Sequence, residues 1–380
     1  MVLNGIDCIH KYSALFAKKC LGLITSVSGV DCCLNSSINI IHKEFRLSAL
    51  YSPEHGVRGD IEAGRIVDAY RDPYTNVPVY SLYRKDSKHF TEEMFRDVDA
   101  VIYDVQDIGV RYYTFISTLL YALEDCGRYG KELIVLDRYN PLGNKVEGNL
   151  LDGAYESFVG IYKLCIRHGL TVGEFAAMVN KERRIGCNLT VIPCENWSRD
   201  MMFPDMANVW IMPSPGIPRF DTALLYAGTC LFEGTNVSEG RGTAAPFEMI
   251  GAPYINAPDL AALMNARRLP GVLFSPIYFN PNDSKYEGKQ CGGIHAHITD
   301  YHAFEAVRTG IELLFSIKEN YPEEFEFLPP FKEGGRRSIE LLFGGSQITN
   351  PDYSKEDILS QCNQDSAVFT EYKKSFHIYN

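Results

Sequence analysis

The chain has 380 residues, of which 46% are hydrophobic and 22% are charged, and its formal net charge is -11. This length predicts two domains or one large α/β domain, and the composition excludes disordered and fibrous proteins. The excess of 48 acidic over 37 basic residues argues against a nucleic-acid-binding surface, because such surfaces concentrate positive charge.

The cysteines and the apolar segments bear on the cellular compartment. The eleven cysteines follow no CxxC spacing, so they support neither a disulfide framework nor a zinc site built from cysteines. No segment reaches the ~18 apolar residues that a membrane span needs, and the first residues lack the pattern of a secretory signal. We therefore expect a cytoplasmic protein without a membrane span, or a periplasmic one if a signal peptide has been removed.

Short apolar runs alternate with helical patterns in the first half of the chain. The predicted strands are residues 21–25, 47–51, 77–82, 99–104 and 132–137, and the predicted helices are residues 37–44 and 112–126. Thr171 and Glu174 form the capping-box pattern that opens a further helix. This alternation predicts a doubly wound, Rossmann-like, mostly parallel sheet.

The sequence changes character after the turn-rich segment 212–218, and we place a domain boundary near residue 225. Residues 1–225 then form the Rossmann-like catalytic domain, and residues 226–380 form a smaller α/β domain. In this second domain we expect helices at 259–267 and 302–318 and strands at 272–279 and 293–298.

Polar clusters follow four of the predicted strands, at residues 26–29, 53–56, 104–109 and 137–141. In a doubly wound sheet the ligand crevice lies outside the carboxyl ends of the strands. The four clusters are therefore expected to meet at one edge of the sheet.

The cluster Glu54-His55-Gly56 contains a candidate acid. A glutamate at the rim of a crevice with apolar neighbours could hold a raised pKa and donate a proton at neutral pH. The alternative is a solvated turn glutamate, with the glycine supplying a positive φ.

The densest polar set contains Asp104, Gln106, Asp107, Arg111 and Tyr112. An arginine at the start of the next helix could clamp a carboxylate of a ligand in a bidentate manner. The alternative is an Asp–Arg ion pair that only stabilises the turn between strand and helix.

The Gly-rich segment from Glu233 to Thr243 includes Asn236, Glu239 and Arg241. Its glycine, hydroxyl, amide and charged groups favour a loop that binds a polyhydroxylated ligand, because ordered loops on rigid scaffolds tend to carry function. A mobile linker is the alternative.

His295 and His297 have the one spacing typical of a metal site, since residues two apart on a strand share a face. Two strand histidines on a solvent-facing side are the simpler interpretation. The motifs GxGxxG, GxxxxGK[ST], HExxH and GxSxG are absent, so we expect neither a cofactor nor a bound metal.

Six long motifs together resemble one family, the exo-β-N-acetylmuramidases of the NamZ type. They lie at residues 22–25, 53–59, 103–114, 137–141, 167–174 and 233–243, the last with 251–253. The resemblance extends over nearly the whole chain. The resemblance implies a Rossmann-like domain, a smaller second domain and an active-site cleft between them. The chain departs from the family's usual sequence at three places. Ser26 stands where the family usually has Asn, and the other two departures lie in the segments 137–141 and 213–216.

The implied activity is the release of N-acetylmuramic acid from the non-reducing ends of peptidoglycan fragments during cell-wall turnover or recycling. The expected substrates are disaccharides or muropeptides that contain this sugar. The family's leading catalytic candidate carries over to Glu54 as the acid. For the second catalytic group of a glycosidase we favour Asp107, then Asp104, then Glu239.

N-acetylmuramic acid carries a lactyl ether with a carboxylate, so a selective site needs a cation. We expect Arg111 or Arg241, ahead of Arg58, to bind this group. The full set of predicted substrate-binding residues is His55, Arg58, Gln106, Arg111, Tyr112, Asn140, Glu233, Asn236, Glu239 and Arg241. Two alternatives stay open, namely a metal-dependent hydrolase that uses His295 and His297, and a non-catalytic amino-sugar-binding protein.

Overall fold

The computed structural model describes residues 1–59, 69–85 and 87–380. The strands of the first half are β1 (Cys20–Thr25), β2 (Arg46–Ser52), β3 (Tyr70–Arg71), β4 (Pro78–Ser81), β5 (Ala100–Asp104), β6 (Glu132–Leu136) and β7 (Asn188–Ile192). Within the described ranges they form one sheet in the order β3-β4-β2-β1-β5-β6-β7. All neighbouring pairs are parallel except β3 with β4.

The helices of this half are α1 (Ser37–Glu44), α2 (Phe115–Arg128) and α3 (Val172–Glu182). Then follow α4 (Phe220–Thr229), β8 (Met249–Ala252), α5 (Ala257–Ala266), β9 (Val272–Phe279), β10 (Cys291–Ile298), α6 (Ala306–Asn320), α7 (Ser338–Phe343) and α8 (Lys355–Lys373). The last three strands pair antiparallel in the order β8-β10-β9. The predicted fold class is confirmed. None of the described helices is long and apolar enough to cross a membrane.

The central strands explain why this sheet is doubly wound. All five residues of β5 are buried, as are the last five of β1. A parallel strand with such a continuous apolar run needs cover on both faces, which the helices supply. Thr25 of β1 lies opposite Asp104 of β5, so the loops after these strands emerge side by side.

The capping box at the start of α3 is confirmed. The hydroxyl of Thr171 accepts a hydrogen bond from the backbone N–H of Glu174 at 3.2 Å, and the Glu174 carboxylate accepts one from the backbone N–H of Thr171 at 3.0 Å. These bonds satisfy two of the donors that every helix leaves free at its first turn.

Several elements differ from the prediction for physical reasons. Helix α2 begins at Phe115 rather than at Tyr112, because Gly109 has a φ of +75° and the backbone N–H of Tyr113 bonds to the carbonyl of Val110 in a turn. Strand β7 lies at a sheet edge and is only partly buried, so its sequence lacks a clear period. Helix α8 is polar on most of its surface and therefore shows little amphipathic pattern.

The predicted boundary at residue 225 falls inside α4. This helix packs closely on α6, where a Cβ on Gly228 would overlap the carbonyl of Ala306 and a Cβ on Gly310 would overlap the backbone of Gly228. Only glycine permits such an approach of two helices. We therefore propose that α4 belongs to the second domain and that the division precedes Phe220.

The end of the chain returns to the first domain. Lys373, the last residue of α8, is fully buried, and its ammonium donates to the carbonyl and side-chain oxygens of Asn144 and to the carbonyl of Gly169 at 2.7–2.8 Å. Burial, together with the nearby guanidinium of Arg199, lowers the pKa of Lys373 to about 7.

This buried lysine predicts a pH-dependent stability. Between pH 7 and pH 9 the unfolded state keeps the Lys373 proton and the folded state loses it, so the free energy of unfolding should rise with pH. Relative to Lys373→Met, the wild type should gain about 2 kcal/mol over this window, as measured by urea unfolding at each pH. Lys374→Met, at an exposed neighbour, should keep the wild-type slope. Parallel pH curves for the wild type and Lys373→Met would contradict this expectation.

Candidate active site

A cavity of about 230 Å³ lies between the strand ends of the first sheet and the segments around α4. Its polar lining consists of Glu54, His55, Thr114, Ser214, Glu233 and Arg241, and its aromatic lining includes Tyr83, Tyr112, Tyr113, Phe158, Tyr226 and Phe247. One of the four predicted strand-end clusters, residues 53–56, and the predicted Gly-rich loop therefore contribute to one cavity, whereas residues 26–29, 104–109 and 137–141 are not among its lining residues.

Glu54 reaches the cavity from the turn after β2. Gly56 in this turn has a φ of +82°, and His55 has a φ of +73°, which is rare for a residue with a side chain. Such backbone strain clusters at functional sites. The hydroxyl of Thr114 donates to Oε2 of Glu54 at 3.0 Å and so orients the carboxyl group.

Tyrosines form one wall of the cavity. The hydroxyl of Tyr112 donates to the carbonyl of Ala227 at 2.5 Å, and its ring meets the ring of Tyr226 edge to face. Tyr226 in turn meets Phe247 edge to face, with ring centroids 4.7 Å apart. The wall therefore joins the first domain to α4 and the loop after it.

Glu233 and Arg241 face the cavity as an ion pair. Nη2 and Nε of Arg241 lie 2.6 and 3.0 Å from Oε1 of Glu233, and the guanidinium stacks over the ring of Phe247 at 4.9 Å. Behind them, the buried carboxylate of Glu239 lies 2.7 Å from Nζ of Lys285 and 3.6 Å from Nε of Arg241. The two cations are thus balanced by two carboxylates.

Asp107 is fully buried and lies behind Tyr113, which is part of the wall. Burial raises the pKa of Tyr113, and the charge of Asp107 raises it further. Its Oδ1 accepts a hydrogen bond from the backbone N–H of Gly109 at 2.6 Å, while its Oδ2 has no hydrogen-bond partner in the described part of the chain. Burial raises the pKa of Asp107 to about 7. Among the carboxylates expected to fill the second catalytic role, this one has no cation paired with it in the described residues.

Asp104 corrects an expectation. Its two carboxylate oxygens accept hydrogen bonds from Nε and Nη2 of Arg138 at 2.6 and 3.0 Å, and the hydroxyl of Ser37 also donates to it. All of these groups are buried. The pair joins the ends of β5 and β6, so Asp104 has a structural role and does not face the cavity.

Arg111 and Arg58 also lie outside the cavity, contrary to the expectation that either could bind the lactyl group. The Arg111 guanidinium is buried and donates to four backbone carbonyls, those of Asn149, Leu164, Leu342 and Phe343, at 2.5–3.0 Å. Arg58 forms a bidentate ion pair with Asp72 at 2.6 and 3.0 Å. Both guanidinium groups are therefore occupied by the protein itself.

Three predicted binding amides have structural partners. Asn140 donates to the carbonyl of Leu170 at 3.0 Å and packs against Gly109, where a Cβ would overlap its side chain. Asn236 donates to the carbonyl of Glu324 at 2.7 Å. Gln106 donates to backbone carbonyls and lines a separate, smaller cavity of about 50 Å³ with Arg138 and Tyr139.

The two histidines of the metal alternative have protein partners. Nε2 of His295 lies 3.5 Å from the Glu248 carboxylate, and Nε2 of His297 lies 2.8 Å from the hydroxyl of Ser275. In the ranges that the structure describes, no group of three His, Cys, Asp or Glu side chains is arranged to hold a metal ion.

Several cavity residues were not singled out from the sequence. Tyr83 and Phe158 lie in loops without a recognisable motif, and Tyr226 is part of the apolar face of α4. Ser214 was noted only as part of a turn-rich stretch. No pattern within a single segment marks these residues, because they meet the cavity only when the two domains pack.

Comparisons with known proteins identify the family of this chain. The family model described as "Exo-beta-N-acetylmuramidase NamZ, N-terminal" matches residues 21–221, and its C-terminal counterpart matches residues 224–379. The chain is 42% identical over 385 residues to the peptidoglycan beta-N-acetylmuramidase NamZ of Bacillus subtilis (strain 168), a match that covers 100% of this chain and 91% of that protein.

Two solved structures have the same fold. A DUF1343 family protein from Bacteroides fragilis NCTC 9343 has a TM-score of 0.92 and 34% identity, with 100% of this chain and 99% of that chain covered. A second DUF1343 family protein from the same organism has a TM-score of 0.78 and 28% identity, with the same coverage. With the two family models and the curated relative, they confirm the resemblance seen in the six motifs: the chain belongs to the NamZ family of exo-β-N-acetylmuramidases.

Proposed function

We propose that this chain hydrolyses the glycosidic bond that follows a terminal N-acetylmuramic acid and releases that sugar from the non-reducing end of peptidoglycan fragments. The observation that carries the proposal is the position of Glu54 in a cavity between the two domains of a NamZ family member. The cavity holds about 230 Å³, which is below the ~300–1,000 Å³ of sites for drug-sized ligands. It suits one sugar ring rather than a length of glycan.

Glu54 is the proposed general acid. A glycosidase protonates the leaving oxygen as the bond to the sugar carbon breaks, and a carboxylic acid usually supplies that proton. The hydrogen bond from Thr114 orients the Glu54 carboxyl group, which lines the cavity.

Asp107 is the proposed second group. Of the three carboxylates weighed for this role, Asp104 pairs with Arg138 and Glu239 pairs with Lys285, so both are neutralised. Asp107 keeps one carboxylate oxygen without a hydrogen-bond partner in the described residues and lies behind Tyr113. Because Asp107 is not among the residues that line the cavity, in this role it stabilises, from behind Tyr113, the positive charge that develops on the sugar.

The remaining cavity groups bind the sugar. Glu233 and Arg241 present an acceptor and several donors to hydroxyl and N-acetyl groups, and the rings of Tyr226 and Phe247 supply apolar surface for the sugar face.

The compartment is proposed to be the cytoplasm, where the enzyme would act in cell-wall recycling. All eleven cysteines lie in the described part of the chain and are free thiols, and eight of them are buried. Free thiols persist in reducing compartments, whereas exported proteins commonly pair them.

The central prediction concerns Glu54→Gln. Removing the proton donor while keeping the side-chain shape should lower kcat by roughly 10²- to 10⁴-fold. The measurement is the release of free N-acetylmuramic acid from N-acetylmuramyl-β-1,4-N-acetylglucosamine in the presence of EDTA. Glu93→Gln, at a side chain 70% exposed on the surface, is the matched control and should retain wild-type turnover.

The same assay separates the alternatives. Wild-type turnover that is lost in EDTA and restored by zinc would support the metal-dependent hydrolase with His295 and His297. Tight binding of N-acetylmuramic acid without turnover by either protein would support an amino-sugar-binding protein. Equal turnover by the wild type and Glu54→Gln would remove Glu54 from its proposed role.

Asp107→Asn tests the second group through its pH dependence. Because the pKa of Asp107 is raised to about 7, its carboxylate takes up a proton as the pH falls through 7, and wild-type kcat/KM should fall with it. At pH 8 the kcat of Asp107→Asn should be roughly 10- to 100-fold lower than that of the wild type. The kcat/KM of the variant should not fall as the pH drops through 7. Asp97→Asn, at an exposed site, should keep the wild-type profile. A variant with wild-type kcat, or with the same step near pH 7, speaks against Asp107.

A further inference from the structure

The cations of the cavity differ in how far the protein already neutralises them. Arg241 faces two carboxylates, Glu233 at 2.6 Å and Glu239 at 3.6 Å. An anionic ligand at Arg241 would therefore have to compete with Glu233 for the same guanidinium and would meet the charge of Glu233 itself. The arginine of the Gly-rich loop is thus poorly suited to bind a carboxylate, although it suits neutral hydroxyl and amide groups.

Lys88 is a cation of a different kind: it is not among the lining residues of the cavity, but it contacts two aromatic rings that are. Its ammonium sits 3.3 Å from the ring centroid of Tyr83 and 5.5 Å from that of Phe158, and both rings line the cavity. Its hydrogen bond goes to the backbone carbonyl of Arg84 at 2.9 Å. Within the described residues Lys88 takes part in no ion pair.

The surroundings of Lys88 connect it to the reacting end of the cavity. Burial raises the pKa of the Tyr83 hydroxyl, and the carboxylate of Glu54 raises it further, so the ring beneath Lys88 also adjoins the proposed acid. Desolvation lowers the pKa of Lys88, while the charge of Glu54 acts in the opposite direction. A partly desolvated ammonium interacts more strongly with an anion than an exposed one does.

Hydrogen bonds anchor described residues on either side of Lys88. The guanidinium of Arg84 donates to the carbonyls of Ser81 and His89 at 2.7 and 2.5 Å. Nδ1 of His89 lies 3.0 Å from the carboxylate of Asp125 in α2. A cation whose flanking residues are already anchored costs less ordering entropy when a ligand binds.

We propose that Lys88 binds the lactyl carboxylate of N-acetylmuramic acid and thereby selects this sugar over N-acetylglucosamine. The inference rests on the proposed function, because it assigns a recognition role within the same cavity. The lactyl group is attached to ring carbon C3, two atoms from the C1 at which Glu54 acts, so a cation close to Glu54 but not paired with it is the chemistry required. The aromatic rings below the ammonium attract it and so help to keep it beside the cavity.

The test compares the acid with an uncharged isostere in which the lactyl carboxylate is converted to its primary amide. Binding of N-acetylmuramic acid and of its amide is measured by calorimetry, and turnover is measured with the corresponding disaccharides linked to N-acetylglucosamine. Lys88→Met should weaken binding of the acid by roughly 10- to 100-fold and leave the amide nearly unchanged, with the loss in KM rather than in kcat. Lys88→Arg should retain part of the preference for the acid.

Lys181 provides a matched control, because its ammonium lies over the ring of Phe376 at 5.3 Å on an exposed site of α3. Lys181→Met should behave as the wild type with both ligands, and thermal melting of all variants checks that they fold. Equal losses for acid and amide in Lys88→Met, or a wild type that does not discriminate between them, would overturn the assignment. A wild type that prefers the acid through Lys88 but shows no turnover would instead contradict the hydrolytic function and keep the role of Lys88.

Discussion

Among the buried groups that join the two domains, the guanidinium of Arg111 contacts both of them. Its four hydrogen bonds go to carbonyls of the segment around residues 149–164 and of the end of α7, so a single side chain satisfies backbone acceptors from both domains. No carboxylate in the described residues pairs with it, and desolvation lowers the pKa of Arg111 to about 10. Burying a cation is costly unless its hydrogen bonds are made, which strongly favours one relative position of the two domains.

The cavity depends on that position. Tyr112, Tyr113 and Thr114 follow Arg111 directly in the chain and form the wall that meets Tyr226 of α4. The close contact of α4 with α6 at Gly228 and Gly310 then sets where the Gly-rich loop with Glu233 and Arg241 lies. A buried charged residue that does not line the cavity thus helps to determine the shape of the site.

Charge balance separates the predicted binding residues into two groups. Glu54, His55, Tyr112, Glu233 and Arg241 were expected in the site and line the cavity. Asp104, Arg58 and Arg111 were expected there for the same reason, a charge placed after a strand, and each is instead used by the protein. A charged residue after a strand can bind a ligand, or it can pair with another group of the same chain. In the second case the other group comes from a distant segment, which the local spacing of residues does not reveal.

The sequence by itself determined the fold class, the order of the main strands, the capping box of α3 and the position of Glu54 in a turn at the edge of the sheet. These features follow from hydrophobic period and local hydrogen bonding, which act over a few residues. Only the tertiary structure decided that Arg138 neutralises Asp104, that Asp107 is buried behind Tyr113, and that the ammonium of Lys88 lies on the ring of Tyr83 within reach of the cavity. Such facts depend on contacts between segments far apart in the chain, because the pairing of a buried charge is set by whichever partner the packing brings to it.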